Sequence, residues 1–431
     1  MTTAGSTADD ARTALRPHLR LITLASLGGA LDYFDFAVYG IFARYIAAAF
    51  FPATDPVVSI LLTFLVYAVG FLARPVGALM LSHFGDKYGR RKAFIVGLSV
   101  MSAATLGVGL LPTYQQWGIT ASLLLVALRI LQGMSVGGEI PGAMAYVVET
   151  APTRASFFSG IVQCFVVLGI VLATTINFLL QSYMSAAAVG EIGWRIPFIV
   201  GGLLGIVAFL LRRSLEETPQ FSRMRKAPSK FPIAEVLSHH ARPLLVAVGV
   251  GAGTAAFNAV LFALMPVYLV NVLKYDSLVV ARALNVSLLF YAAGILAVSW
   301  LGDRIPRQWI VRAGAATLFA LAYPFFAALR DHSASPALLL SLAALAGSIL
   351  AGVFACVLAD LFPTRVRYTG SAVGTNLSSA IFGGTGPLLS TWLISATGSA
   401  VAPAGYVMVL CLLTLAAGAA MPRYAGQILK G

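Results

Sequence analysis

Asp32 and Asp35 stand three residues apart in "LDYFDFAVYG" (31–40), inside an apolar run that extends from about Leu19 to Phe51. Ionisable residues in such a run are costly, and their default reading is a role in moving ions or substrate. At this spacing the two acids share one face of a helix, with Tyr39 one turn on. A second apolar run carries Arg129 and Gln132, with Glu139 seven residues beyond the glutamine on nearly the same stripe. A guanidinium stays charged at any accessible pH, so at depth it needs an anionic partner or ligand. Pairing of Arg129 with Asp35 or Asp32 in the unprotonated state, and its release on protonation, would make a proton switch. Two coupled acids would titrate as a pair, with at least one proton exchangeable near physiological pH. The alternative is a permanent structural ion pair of Arg129 with Glu139.

Such chemistry needs helices that cross a bilayer, and the composition supplies them. Of 431 residues, 59% are hydrophobic and 10% charged, and the mean hydropathy is +0.88. Apolar runs long enough for a hydrocarbon layer of about 30 Å recur twelve times. They fall at about 20–50, 57–82, 93–111, 118–148, 155–182, 194–212, 242–272, 278–301, 309–329, 335–359, 368–396 and 402–422. The expected fold is an all-α membrane protein of twelve transmembrane helices, in which the Asp32/Asp35 pair lies near mid-depth.

The net charge of +13 is topological. Lys and Arg cluster before the first run, at Lys87–Lys92, at 212–242, at Arg304–Arg312, at Arg365 and Arg367, and at the C-terminal end. The loops near 52–56, 112–117, 183–193 and 397–402 hold none. By the positive-inside rule both termini and the 213–241 connection are cytoplasmic, and nucleic-acid binding is discounted. Cys164, Cys356 and Cys411 lie within spans without paired spacing, which argues against a disulfide framework or a metal site. No P-loop sequence occurs, so no ATP hydrolysis is expected on this chain. No cofactor is expected either; the proton is the coupling ion.

The chain also repeats itself. Asp86 in "SHFGDKYGRRK" and Asp303 in "SWLGDRIPRQW" are offset by 217 residues, while Glu149/Asp360, Pro152/Pro363, Thr153/Thr364 and Arg154/Arg365 match at 211. Two matches near one half-chain offset indicate duplication. Six spans (20–212) follow a short cytoplasmic tail (1–19), a linker (213–241) joins them to six more (242–423), and a short tail (424–431) ends the chain. With an even number of spans in each half, the repeats are parallel, a transporter architecture with its site near mid-bilayer between the halves.

"GDKYGRR" and its copy "GDRIPRQ" resemble the loop signature of the major facilitator superfamily, and "RILQG" (129–133) resembles the fourth-helix motif of its proton-coupled members. More narrowly, "LDYFDFAVYG", "FFP" (50–52), "RPVGA" (74–78), "RILQGMSVGGE" (129–139), "GWRIPF" (193–198), "LEETPQF" (215–221), "LFPTRVRYTG" (361–370) and "AIFGGTGP" (380–387) resemble the metabolite–proton symporters. That family includes carriers of citrate, 2-oxoglutarate, shikimate and betaine/proline. Asp32 departs from the family's usual Glu, Ser82 from its Gly, and Pro306 stands in the second loop where Gly89 stands in the first. A coiled coil like that of the osmosensing betaine carriers is not seen after the last span, which counts against that branch. The resemblance makes Asp35, which keeps the family's residue, the main proton carrier, with Asp32 tuning it. It also implies a cytoplasmic latch. Asp86 would cap a neighbouring helix, Gly89, Arg90 and Arg91 would complete the loop, and the arginines would reach acids such as Glu149. Asp303 and Arg307 form the second copy.

Candidate substrate contacts are Arg129, Tyr39, Gln132, Glu139, Asn258, Asn376 and Arg74, the last with the option of snorkelling to the surface or pairing with Glu139. Tyr67, Gln163, Asn177, Tyr268, Asn285 and Tyr291 are further polar positions within spans, Arg44 reads as an interface anchor, and Gly137 and Gly138 as close-packing positions. The expected function is proton symport of a small polar metabolite by alternating access, in a monomer of the bacterial inner membrane. The arginines favour an organic anion such as citrate. A betaine/proline or shikimate carrier is the alternative, and a transport-fold sensor the reading from another class. An enzyme is not expected, since the five histidines fall in loops or at termini.

Overall fold

The computed structural model describes residues 28–88, 90–137, 154–213, 232–363 and 366–422, with 144, 147 and 148 besides, and gives backbone alone for 82–88, 90–94, 211–213 and 232. Of the residues singled out above, Gly89, Gly138, Glu139, Glu149, Pro152, Thr153, Thr364 and Arg365 lie outside the described residues, as do the side chains of Ser82, Asp86, Arg90 and Arg91, the tails 1–19 and 424–431 and most of the 213–241 linker.

Twelve helices run through the described residues, in the order the hydropathy predicts. The first, α1 (28–50), turns at Phe42 before its last segment, Ala43–Phe50. It is followed by α2 (Pro56–Tyr88), α3 (Arg90–Leu110), α4 (Ile119–Val136), α5 (Ala155–Tyr183) and α6 (Ile196–Arg213). The second set is α7 (Ala241–Val272), α8 (Ser277–Leu301), α9 (Arg307–Arg330), α10 (Pro336–Asp360), α11 (367–397) and α12 (Pro403–Ala420). Local chemistry sets the boundaries. Ser335 caps α10 by accepting from the Leu338 amide, with Pro336 at the first helical position. Gly398 ends α11 in the left-handed region at φ 66°.

Among the described residues nine of these helices are long and apolar enough, by length and composition, to cross a membrane. The other three are described only in part or are interrupted. α1 is broken at Phe42, α3 has a described apolar stretch of only Ile95–Leu110, and α11 is split by a π-helical turn at Ser379–Gly384. α7 also carries π-helical turns, at Ala259–Leu264 and Tyr268–Val272. Such turns exchange the regular i→i−4 bond for a longer one and concentrate at functional positions. Periodicity alone did not reveal them, because apart from Asn271 their residues are those of an ordinary span.

Within the first six helices α2 packs on α4 and α3 on α6; within the last six, α8 packs on α10 and α9 on α12. The two sets meet through α5 against α8 and α10, and through α2 against α11. They touch at both ends. Near the basic loops Ser299 of α8 stands where a Cβ on Gly160 of α5 would be, 2.0 Å away. Toward the opposite end Asn285 of α8 accepts from Thr174 and Thr175 of α5 at 3.1 and 3.0 Å, and Ala263 of α7 closes on Gly40 of α1. Without hydrophobic drive between helices in lipid, small residues and a few polar contacts of this kind are what hold spans together.

Candidate functional site

The charged residues of the membrane interior gather in the first six helices. Asp35 of α1 is 1% exposed and accepts three hydrogen bonds: from Arg129 Nη1 on α4 at 3.0 Å, from Gln132 Nε2 at 2.7 Å and from Thr105 Oγ1 on α3 at 2.8 Å. Gln132 also accepts from Arg129 Nη1 at 2.9 Å. The i, i+3 spacing of Arg129 and Gln132 thus puts two donors on one carboxylate, and the salt bridge lies where neither partner meets solvent. Breaking such a pair by removing one member leaves an uncompensated charge, at a cost of about 3–5 kcal/mol.

α4 reaches α1 across α2 because of glycine. A Cβ on Gly133 would stand 1.9 Å from the Gly70 carbonyl oxygen, and one on Gly137 would stand 2.7 Å from that of Arg74. The glycine of "RILQG" is therefore what lets the arginine of the same motif approach the acid.

The two acids have different nearest cations. Asp35 is committed to Arg129, whereas Asp32, also buried, stands within range of the Arg74 charge on α2. Three residues turn a helix by roughly 300°, enough to direct the two side chains at different neighbours. Arg74 corrects a second expectation. It is 4% exposed and does not snorkel; its guanidinium carbon lies 4.0 Å from the ring centres of both Phe36 and Phe71. Arg129 also lies over Phe36, at 4.6 Å, and over Tyr39, at 4.2 Å. Tyr67 extends the wall, 4.9 Å from Phe71 and 6.1 Å from Tyr39 between ring centres. Tyr39 donates to the Thr63 carbonyl at 3.3 Å. Phe36, Phe71 and Thr105 were not legible as site residues, because an aromatic or a threonine in an apolar span reads as packing.

The remaining candidates lie elsewhere. Asn376 on α11 donates to the Gly137 carbonyl at 2.7 Å and so ties the second set of helices to α4. Asn258 accepts from Tyr291 at 2.8 Å, joining α7 to α8. Tyr268 donates to the Ala400 carbonyl at 2.8 Å, and Arg44 lies against Tyr45. Cys164, Cys356 and Cys411 are free, and no group of metal-ligating side chains occurs among the described residues.

At the basic-loop end Asp303 caps α5, accepting from the amides of Ser156 at 2.8 Å and Phe157 at 3.1 Å. A carboxylate there meets both unpaired amides and the positive end of the helix dipole. Arg307, 1% exposed, pairs with Asp360 at the end of α10, donates from Nε to the Gly302 carbonyl at 3.1 Å and stands 3.6 Å from Asp303. The Asp303 cap thus joins the two sets of helices. Asp303→Ala is expected to weaken this closure by about 1–2 kcal/mol. Distances between spin labels on the adjoining ends of α5 and α8 should lengthen and broaden; an unchanged distribution would show that the cap does not hold the ends together.

Three comparisons bear on these residues. Residues 25–387 match the family model described as Major Facilitator Superfamily. The chain is 35% identical to a proline/betaine transporter of Salmonella typhimurium, over 96% of this chain and 85% of that protein. It is 34% identical to OusA of Dickeya dadantii, a glycine betaine/proline/ectoine/pipecolic acid transporter, with the same coverage of 96% and 85%. Among solved structures, a D-xylose-proton symporter superposes with a TM-score of 0.74 at 16% identity, covering 95% of this chain and 99% of that one. The xylose transporter XylE of E. coli in an inward-open conformation gives 0.70 at 17%, covering 96% and 98%. At such identities the structural likeness is one of fold.

Proposed function

The chain belongs to the major facilitator superfamily, as a multi-pass membrane transporter, and from that premise we propose that it is a proton-coupled symporter for a zwitterionic osmolyte of the betaine and proline class. The observation that carries the substrate is the relatedness, across 96% of the chain, to transporters named for proline, betaine and ectoine. This replaces the organic di- or tricarboxylate expected from the arginines. The charge balance gives a physical reason: among the described residues Arg74 and Arg129 stand with Asp32 and Asp35, two against two, which leaves this cluster no surplus of positive charge for a multiply charged anion.

The proton is taken up at Asp35. While ionised, the carboxylate holds Arg129 and Gln132 together; once neutral, it releases the guanidinium and leaves the cluster with one net positive charge. That charge favours a ligand with a carboxylate, so proton and substrate bind together, and a preference of either for one conformation shifts the equilibrium between open states. The moving units in this reading are residues 20–212 and 242–423, joined by 213–241 and acting as a monomer in a bacterial inner membrane, with no cofactor besides the proton.

Uptake of labelled glycine betaine, proline, citrate, 2-oxoglutarate and shikimate into proteoliposomes, with and without an inwardly directed pH gradient, tests this. Betaine and proline are expected to accumulate only with the gradient. Accumulation of citrate alone would overturn the substrate, and uptake indifferent to the gradient would overturn the coupling.

A further inference from the structure

We propose that Arg74 is the substrate anchor: the edge formed by its Nε and Nη2 takes the carboxylate of the transported molecule in two parallel hydrogen bonds. The proposal rests on the osmolyte reading above and assigns its recognition to one group.

Among the described residues, Nε and Nη2 of Arg74 have no hydrogen-bond acceptor, although the side chain is buried. These two atoms form one side of the planar fork, the side that meets a carboxylate in two-point fashion. A buried donor without an acceptor is expensive, and two on one edge describe a place kept for a ligand. Phe36 and Phe71 both lie against the guanidinium, each ring centre 4.0 Å from its carbon, and confine it.

Arg129 leaves the same two atoms without an acceptor, yet its position differs. Its Nη1 is spent on Asp35 and Gln132, and its Nε and Nη2 lie over Gly70, 3.6 and 3.5 Å from where a Cβ would be. That edge is covered by α2. Arg74 instead lies against Phe71, which packs against Gly384 in the π-helical turn of α11, with 2.6 Å between Phe71 Cβ and a Cβ added there. The wall of the Arg74 site is therefore built by both sets of helices and comes apart when they separate, as a site open alternately to either side requires. The aromatic wall of Phe71 and Tyr67 next to it suits a quaternary ammonium, which has no hydrogen bonds to give and gains from ring faces.

The test uses the full-length protein in proteoliposomes, by counterflow, which needs no gradient. Probes are glycine betaine and choline, the latter with the same trimethylammonium but an alcohol in place of the carboxylate. Wild type is expected to exchange betaine and to discriminate against choline. Arg74→Gln should raise the half-saturation concentration for betaine by about 30-fold or more, with a much smaller change in maximal rate, and should erase the preference over choline. Arg74→Lys keeps the charge and stem but not the fork; a rise of about tenfold is expected, and it serves as the readout if the glutamine variant is not recovered folded. A betaine half-saturation within threefold of wild type, or a loss confined to maximal rate, would overturn the anchor. A wild type that ignores betaine and proline but exchanges citrate sinks the osmolyte reading alone. The same loss is then expected for citrate, and an unchanged citrate affinity in Arg74→Gln would overturn the anchor as well.

Discussion

Asp35→Asn is expected to abolish gradient-driven accumulation while exchange of substrate between the two faces of the membrane continues. The carboxylate receives donors from Thr105, Gln132 and Arg129 and offers none of its own. An amide keeps one oxygen but turns a donor toward this set, so it satisfies one side of the site and opposes the other. It also carries no proton that can leave. If the transport cycle requires the ion pair to form and break, the variant is fixed in one electrostatic state. Substrate moves through it in both directions, but the pH difference does no work. Loss of the buried pair should lower stability by about 3–5 kcal/mol, so both readouts belong on protein first shown to be monodisperse. Accumulation that persists in Asp35→Asn would place proton coupling elsewhere. Loss of exchange together with accumulation would make Asp35 part of substrate binding.

Gly133→Ala should have an effect of comparable size by a different route. The added methyl would stand 1.9 Å from the Gly70 carbonyl oxygen and 3.1 Å from Ala73 Cβ. The nearer obstacle is helix backbone, which has no alternative rotamer, so α2 and α4 must separate. Overpacking of this kind costs about 3 kcal/mol or more, and it falls one turn beyond Arg129, whose donors reach Asp35 only at the present spacing. The folded fraction in mild detergent is expected to fall sharply by size-exclusion chromatography, and the protein that survives should show little uptake. A wild-type elution profile with normal transport would mean that the α2–α4 contact is not a determinant of the site.

Much of this architecture is written in the chain in a form that a reader of sequence can use. Twelve apolar runs, alternating basic loops and the offset copies around Asp86 and Asp303 carry the fold, because bilayer thickness and charge asymmetry act on composition directly. Arg129, Gln132 and Asp35 are legible for the same reason: polar groups at depth stand out. What stays hidden is anything that depends on the third dimension while using ordinary membrane residues. Phe36 and Phe71 look like lipid-facing or core aromatics until a guanidinium is found against each. Asp32 and Asp35 look like a pair until α2 and α4 claim one apiece. The citrate expectation is the reading with less support, since the relatives are named for proline, betaine and ectoine.

The distance in sequence between Asp35 and Arg129 has a consequence for how the protein is made. An arginine at the centre of a span costs about 2.5–3.5 kcal/mol when the helix enters the bilayer from the translocon by itself. Its counter-charge lies 94 residues earlier in the chain, so α1 is synthesised and available before α4 emerges. The order acid first, arginine second gives biogenesis a direction. The helix bearing the lone cation arrives last and finds its partner waiting, and a substitution at Asp35 would be felt by the insertion machinery before the finished carrier meets any solute.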